Sequence, residues 1–239
     1  MQEAKIEAFS DNRISCLKRQ VQEYERGICS ERALLWTEYF KNKANRKKPI
    51  IVQMAEALRY VLMNKSVKIY PDELIVGNFT SLRVGGIIYP ELHGVPVMLD
   101  VFKYPKRTVN PLRISRHEQF KLAMTLPFWQ NRFLVAKAFP NLWARARYSI
   151  EQLQAKDYYI YEAGGIAHLA PDHEKLIRMG VDEIKKEIEQ FRVNHKNPDQ
   201  DSFYEAALIA AEALASFGGR YAECAQKLAD EEKDTMRRA

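Results

Sequence analysis

Apolar positions recur at helical spacing through most of the chain, and the residues between them mark where each element should start and stop. Leu17, Val21 and Tyr24 share one helical face, and Gly27 closes that segment. Ser30 stands where a helix N-cap belongs, with Glu31 near the positive end of the next helix dipole. That second helix carries Ala33, Leu34, Trp36, Tyr39 and Phe40. Pro49 suits the first turn of a third, whose Met54, Leu58, Val61 and Leu62 form an apolar stripe at i, i+4, i+7 and i+8.

From Val67 to Glu91 the period changes. Val67 to Tyr70 alternates, Leu74-Ile75-Val76 and Ile87-Ile88-Tyr89 are short apolar runs, and Gly77-Asn78 and Gly85-Gly86 are turn signals. Short extended pieces packed against the helices are expected there. Pro96, Pro105 and Pro111 keep the following segment irregular. Helix resumes at Ser115-Arg116-His117-Glu118, which has capping-box spacing, and runs until near Pro127. Phe128 to Ile150 is aromatic and basic. Pro171 opens a helix with Leu176 or Ile177, Val181, Ile184, Ile188 and Phe191 on one face, divided or bent at Gly180. Asn194 to Ser202 reads as a polar loop. From Phe203 the last helix is rich in alanine, which suits close approach to a neighbouring helix.

With 239 residues, 46% of them hydrophobic and 11% aromatic, the chain can bury a core and is not of disordered composition. No run approaches the roughly 18 apolar residues of a membrane span, and the first twenty residues lack a secretory apolar core. Cys16, Cys29 and Cys224 are too few and too scattered for a disulfide framework or a zinc cluster. The reading is a cytoplasmic, reduced protein with no membrane partner. Lys and Arg number 37 against 31 Asp and Glu, a net +6 that is modest for this length. Lys41, Lys43, Arg46, Lys47 and Lys48 form one basic run beside Tyr39 and Phe40. It reads as a solvated helix end rather than a nucleic-acid surface, since it is single and short.

Few residues offer chemistry. His168 and His173 are five apart with Pro171 between them, so they do not reproduce the i, i+4 pair of a helical zinc site. His168 follows Gly164-Gly165-Ile166-Ala167, a tight approach that suits either a pocket-facing ring or a hydrogen-bonded core histidine. Cys29 precedes the cap position Ser30 and is open to activation by the helix dipole, though a structural role is the favoured reading. Cys224 sits among alanines with no positive neighbour and reads as buried.

Three groups of residues stand out in the first part of the chain: Ser30-Glu31-Arg32-Ala33-Leu34-Leu35-Trp36-Thr37-Glu38-Tyr39, Ala55 to Leu58, and Asp72-Glu73-Leu74-Ile75-Val76-Gly77-Asn78 with Tyr89-Pro90-Glu91. Ile114-Ser115 through Leu126-Pro127-Phe128-Trp129, Gly165 through Gly180, and Arg220-Tyr221-Ala222 to Glu231-Glu232 follow in order. Together these segments resemble the pyruvate formate-lyase-like domain of glycyl radical enzymes. The resemblance implies a predominantly α-helical segment with short strands, the N-terminal part of the family's ten-stranded α/β barrel. Residues 1–29 would be a helical lead-in and 30–239 the N-terminal portion of that domain.

It further implies radical chemistry in the complete enzyme. There a glycyl radical, installed by an S-adenosylmethionine iron–sulfur activase, takes hydrogen from a cysteine whose thiyl attacks a small organic substrate. The family's cysteine lies in a Gly-Cys-x-Glu context that none of the three cysteines has. Its radical loop reads Arg-Val-small-Gly-Tyr, and Arg83-Val84-Gly85-Gly86-Ile87 lacks the tyrosine and lies far from the C-terminal end of the chain. No catalytic residue, metal or cofactor is therefore expected on this segment, and no turnover from it alone. His168 and Gly165 are the candidate substrate-binding residues. The implied partners are the remaining catalytic part, the activating enzyme and, when complete, a second copy as homodimer. A dehydratase, decarboxylase or formate-lyase-like reaction would follow. The alternative is a non-catalytic helical scaffold derived from such an enzyme, and no nucleic-acid partner is expected.

Overall fold

A computed structural model gives the architecture of residues 14–71, 73, 75–92, 98, 100–153, 170–194 and 198–233. Helix α1 spans residues 14–23. It stops before Gly27, which instead starts strand β1 (Gly27–Cys29). Glycine is needed there for space. A Cβ on Gly27 would stand 2.8 Å from both the Arg113 carbonyl oxygen and Leu82 Cδ1. Helix α2 (Glu31–Lys41) follows, then α3 (Ile50–Asn64) after Pro49, which sits one residue outside its helix as the N-cap.

Strand β2 (Gly85–Ile87) pairs with β1 in parallel, Ile28 facing Gly86. On its other side β1 meets Arg113, whose carbonyl accepts from Ile28 N (2.9 Å) and whose amide donates to the Arg26 carbonyl (2.8 Å). The alternating run Val67–Tyr70 forms no strand, but Val67 and Ile69 pack against the cluster of Leu62 and Phe217 as expected of extended pieces on the helices, while Ile75 is exposed. Tyr70 closes a local turn instead: its amide donates to Glu73 Oε2 (2.9 Å) and its carbonyl accepts from Glu73 N (3.3 Å).

The capping box at Ser115 forms as its spacing predicts. Ser115 Oγ accepts from Glu118 N (3.2 Å), and Glu118 Oε2 accepts from Ser115 N (3.2 Å). It opens α4 (Arg116–Ala123), which ends short of Pro127. The short α5 (Leu126–Trp129), α6 (Leu134–Ala138) and α7 (Leu142–Leu153) follow. Helix α8 (His173–Asn194) breaks at Gly180, as expected. Helix α9 (Pro198–Glu231) begins five residues before Phe203 and replaces most of the expected polar loop. Proline at a first helical position gives up an amide that has no partner anyway, so Pro198 starts the helix instead of ending the loop.

Helix α3 is the centre of the packing. Ala57 and Val61 join Trp36, Phe40, Leu122 and Trp129 in the main core. Val52 and Ala55 meet Ala206, and Leu62 meets Ala213 and Phe217, so the alanine-rich helix does pack closely. Two buried faces replace the single expected stripe, and Met54, assigned to that stripe, is exposed. Cys224 is half-buried, not enclosed as expected. No helix among the described residues is long and apolar enough to cross a membrane.

Candidate functional site: the strand pair and its polar surround

The polar side chains of the fold converge where β1, β2 and the end of α3 meet. Cys29 is buried, with Sγ 3.2 Å from Ser81 Oγ and accepting from Ser81 N at 3.4 Å. The thiol is thus engaged with Ser81 and serves the packing. Lys65, just past α3, is 1% exposed and donates from Nζ to the carbonyls of Ser66 (2.9 Å) and Asn78 (3.2 Å). The rings of Phe79 and Phe217 flank it. Burial pushes the Lys65 ammonium below its ordinary range, although nearby Glu31 opposes the shift.

Helix α9 completes this hub. Arg220 donates to the Leu62 (2.5 Å) and Lys65 (2.7 Å) carbonyls, satisfying the C-terminus of α3 in the absence of a glycine cap. Tyr221 Oη donates to the Asn78 carbonyl (3.1 Å). The Asn78 side chain in turn binds Thr80 N and the Leu82 carbonyl, shaping the turn that leads into β2.

Beside β1 an open cavity of about 550 Å³ is lined by Gly27, Ser81, Arg113, Ser115 and Glu118, among others. Ser30 occupies the α2 N-cap position, yet its hydroxyl makes no capping bond. It donates to Glu118 Oε1 at 2.9 Å, so one carboxylate joins the starts of α2 and α4. Burial would raise the Glu118 pKa, but the hydrogen bonds from Ser115 and Ser30 outweigh it and leave the carboxyl below its ordinary value.

A third polar knot is almost dry. Arg32 holds Glu91 through Nη2–Oε1 (2.5 Å) and Nη1–Oε2 (3.2 Å), and its guanidinium stacks between Trp36 (4.4 Å) and Tyr89 (3.9 Å). Nearby, Trp129 Nε1 donates to Thr37 Oγ1 at 2.8 Å.

Gly165 and His168, the residues singled out by sequence for substrate, lie outside the described residues. So do Gly164, Ile166 and Ala167. His173 is exposed at the start of α8, and no group of three His, Cys, Asp or Glu among the described residues could hold a metal ion. The basic run faces solvent, apart from half-buried Arg46, with Lys48 paired to Glu56 at 2.7 Å. Sequence reasoning overlooked Arg32, Lys65, Glu91 and Arg220 as individuals. Three of the four stand in segments that carry the family resemblance: Arg32 with Trp36, Glu91 after Tyr89-Pro90, and Arg220 before Tyr221. Lys65 had no such signal, since a lysine at a helix end is ordinarily solvated.

Segments far apart in sequence therefore meet pairwise: Arg32 with Glu91, Thr37 with Trp129, Asn78 with Tyr221. A helical wrapping laid around a parallel strand pair in this manner is the N-terminal architecture of a glycyl radical enzyme barrel. The chain belongs to the pyruvate formate lyase-like family, whose model matches residues 5–239. It is similar to the glycerol-bound B12-independent glycerol dehydratase from Clostridium butyricum, with a TM-score of 0.82 and 27% identity over 95% of this chain and 29% of that one. A glycyl radical enzyme from Archaeoglobus fulgidus superposes with a TM-score of 0.77 and 31% identity, covering 95% of this chain and 29% of that one. Among curated relatives, isethionate sulfite-lyase of Desulfovibrio desulfuricans is 24% identical over 87% of this chain and 26% of its own length. Trans-4-hydroxy-L-proline dehydratase of Clostridioides difficile is 28% identical over 88% and 27%. The chain thus spans little more than a quarter of the length of the relatives it matches.

Proposed function

We propose that this chain supplies the N-terminal, helix-rich portion of a glycyl radical lyase that breaks a carbon–heteroatom bond, and that it does not turn over substrate alone. The observation that carries the reading is the pairwise meeting of the resemblance segments in space, at Arg32–Glu91, Thr37–Trp129 and Asn78–Tyr221. Bond class follows from the relatives' names: one releases sulfite and the others are dehydratases.

In this reading the hydrogen-transfer cysteine and glycine belong to the remaining catalytic portion, and an S-adenosylmethionine iron–sulfur activase installs the radical. The complete cytoplasmic enzyme would be a homodimer acting on a small organic substrate. The role of the present chain is to position. Lys65, Arg220 and Tyr221 fix the turn into β2, and Glu118 fixes the starts of α2 and α4. His168, approached through Gly165, would hydrogen-bond a substrate hydroxyl or carboxylate, or relay a proton.

The test is anaerobic activation of the complete enzyme containing this chain, wild type against His168→Ala. The expected result is an unchanged glycyl radical signal with impaired turnover. Unchanged kinetics would make His168 a core residue. Absence of both radical and turnover in the wild-type assembly would favour the non-catalytic scaffold.

A further inference from the structure

The open cavity beside β1 does not end at Glu118. Pro105 and Ile114, which line it, also line a second open cavity of about 410 Å³ whose other walls include Phe102, Lys106, Arg116 and Phe120. The two join into one groove that runs past the start of α4.

Its walls are cationic. Residues 101–125 hold Lys103, Lys106, Arg107, Arg113, Arg116 and Lys121 against one acid, Glu118, and so carry five of the chain's six net positive charges. Three of these cations are engaged: Lys103 pairs with Asp100 (2.9 Å), Arg113 pairs with Glu25, and the Arg107 guanidinium lies 4.2 Å over the Tyr104 ring. Lys106 and Arg116 are exposed and have no ion-pair partner among the described residues.

The same place bares apolar surface. Arg116, Phe120 and Met124 recur at i, i+4 and i+8, so they share one face of α4, while buried Gln119 and Leu122 hold another. That shared face is turned to water, with Phe120 61% and Met124 75% exposed. Phe102 meets Phe120 edge to face, ring centroids 5.6 Å apart. Bared rings beside unpaired cations mark a surface suited to a partner.

The occupant's chemistry follows from these groups. Unpaired cations match carboxylates or phosphates, and the rings and Met124 match an apolar side chain. Nucleic acid fits poorly, because Glu25 and Glu118 line the same groove and would repel an unbroken row of phosphates. The edge-to-face contact of Phe102 and Phe120 also covers one ring face that a stacking base would need.

We propose that this groove docks an acidic protein segment, whose carboxylates meet Lys106 and Arg116 and whose apolar side chain packs on Phe120 and Met124. The inference stands on the groove itself and does not depend on the enzymatic reading.

The test is fluorescence anisotropy of a labelled heptapeptide, six glutamates around a central phenylalanine, titrated with the full chain at low ionic strength, where screening is weakest. Lys106→Glu with Arg116→Glu should weaken binding roughly tenfold or more. The new acid at position 116 falls at the positive end of the α4 dipole, so the helix should persist, and an unchanged circular dichroism spectrum checks it. Lys43→Glu with Lys47→Glu, the same charge change in the other basic run, should weaken binding no more than about twofold. Phe120→Ala should weaken the phenylalanine peptide several-fold and leave a peptide with central alanine unmoved. Equal effects of Phe120→Ala on both peptides overturn the apolar contact. Undetectable peptide binding, equal losses from the two charge reversals, or tighter binding of a single-stranded heptanucleotide overturns the acidic segment. So does a dimer in analytical ultracentrifugation that Phe120→Ala dissolves, which would seat a second copy in the groove.

Discussion

Around α2 and α3, the side chains of Ala33, Ala57, Val61, Leu122 and Trp129 are almost wholly removed from water, whereas no described residue of α8 is buried. The first region closes on itself through polar bonds between distant segments: Trp129 to Thr37, Arg32 to Glu91, Tyr39 to Glu56. Helix α8 carries ion pairs near its surface instead, Lys175–Glu187 within itself and Lys185–Glu212 and Arg192–Asp201 to α9. Surface pairs contribute little because water already solvates both charges, while a buried pair that loses one member leaves the other stranded. The difference teaches that α2, α3 and the inner face of α9 form one well-packed core, while α8 lies against it through partly buried side chains.

The largest test of that contrast compares two tryptophans. Trp129→Ala removes a buried ring and a buried hydrogen bond and should cost about 3–5 kcal/mol in denaturant unfolding. Trp143 is 84% exposed, and Trp143→Ala should stay within about 0.5 kcal/mol. Equal costs would mean that the core assignment is wrong.

Next in size is the Arg32–Glu91 pair. Glu91→Leu alone should cost about 3–5 kcal/mol, because the Arg32 guanidinium remains in its aromatic slot without its carboxylate. The double change Arg32→Met with Glu91→Leu should cost clearly less than the two single changes added together. Additivity in that cycle would make the pair incidental to the fold.

The same region should also respond to alkali. Burial, with the hydrogen bond to Glu56, raises the Tyr39 phenol above its ordinary value of about 10. The folded state therefore holds this proton more tightly than the unfolded chain. Its contribution is whole below pH of about 10 and is lost as pH climbs toward the raised value. Tyr39→Phe should lower the neutral plateau by about 1 kcal/mol, the usual worth of one hydrogen bond, and flatten the alkaline limb of the stability–pH curve. A curve that falls equally steeply in the variant would assign the alkaline loss to other groups.

Much of this scaffold is legible in the amino-acid pattern, and for identifiable reasons. The capping box at Ser115 is a local device, fixed by residues three apart, and it forms as its spacing predicts. The break at Gly180 is legible because only a glycine interrupts an otherwise continuous apolar face. What escapes a one-dimensional reading depends on neighbours distant in sequence. Nothing near Ser30 signals that its hydroxyl serves Glu118 rather than its own helix. Nothing near Lys65 signals that two carbonyls and two rings enclose it. Periodicity gives one face per helix and so assigns Met54 to a buried stripe, while α3 is buried on two faces and leaves Met54 exposed. The candidate site was legible only through its resemblance segments, which name the residues that meet without revealing which meets which.

A smaller effect divides the two serines at Glu118. Ser115→Ala should cost about 1 kcal/mol, since it removes a genuine N-cap. Ser30→Ala should cost less, because its own helix loses no capping bond. Both changes also bear on acid stability. The Glu118 carboxyl is depressed in the folded state, so its contribution is full above the unfolded value of about 4.3 and is lost as pH falls through the folded one. Either substitution should shrink that acid loss, which urea unfolding at a series of pH values would read.

The smallest predicted effect lies on α8. Arg178 and Glu174 form an i, i+4 pair at 2.9 Å with both side chains largely in water. Such pairs gain little Coulomb energy and spend side-chain entropy, so Arg178→Ala should move unfolding by no more than about 0.5 kcal/mol. The pair also lies wholly within the limb that precedes Gly180, so weakening it should leave the protection of residues 182–193 unchanged in amide exchange. A loss as large as that of Ser115→Ala, spread over both limbs, would show that α8 is packed as firmly as α4, and the contrast between the packed core and α8 would fail.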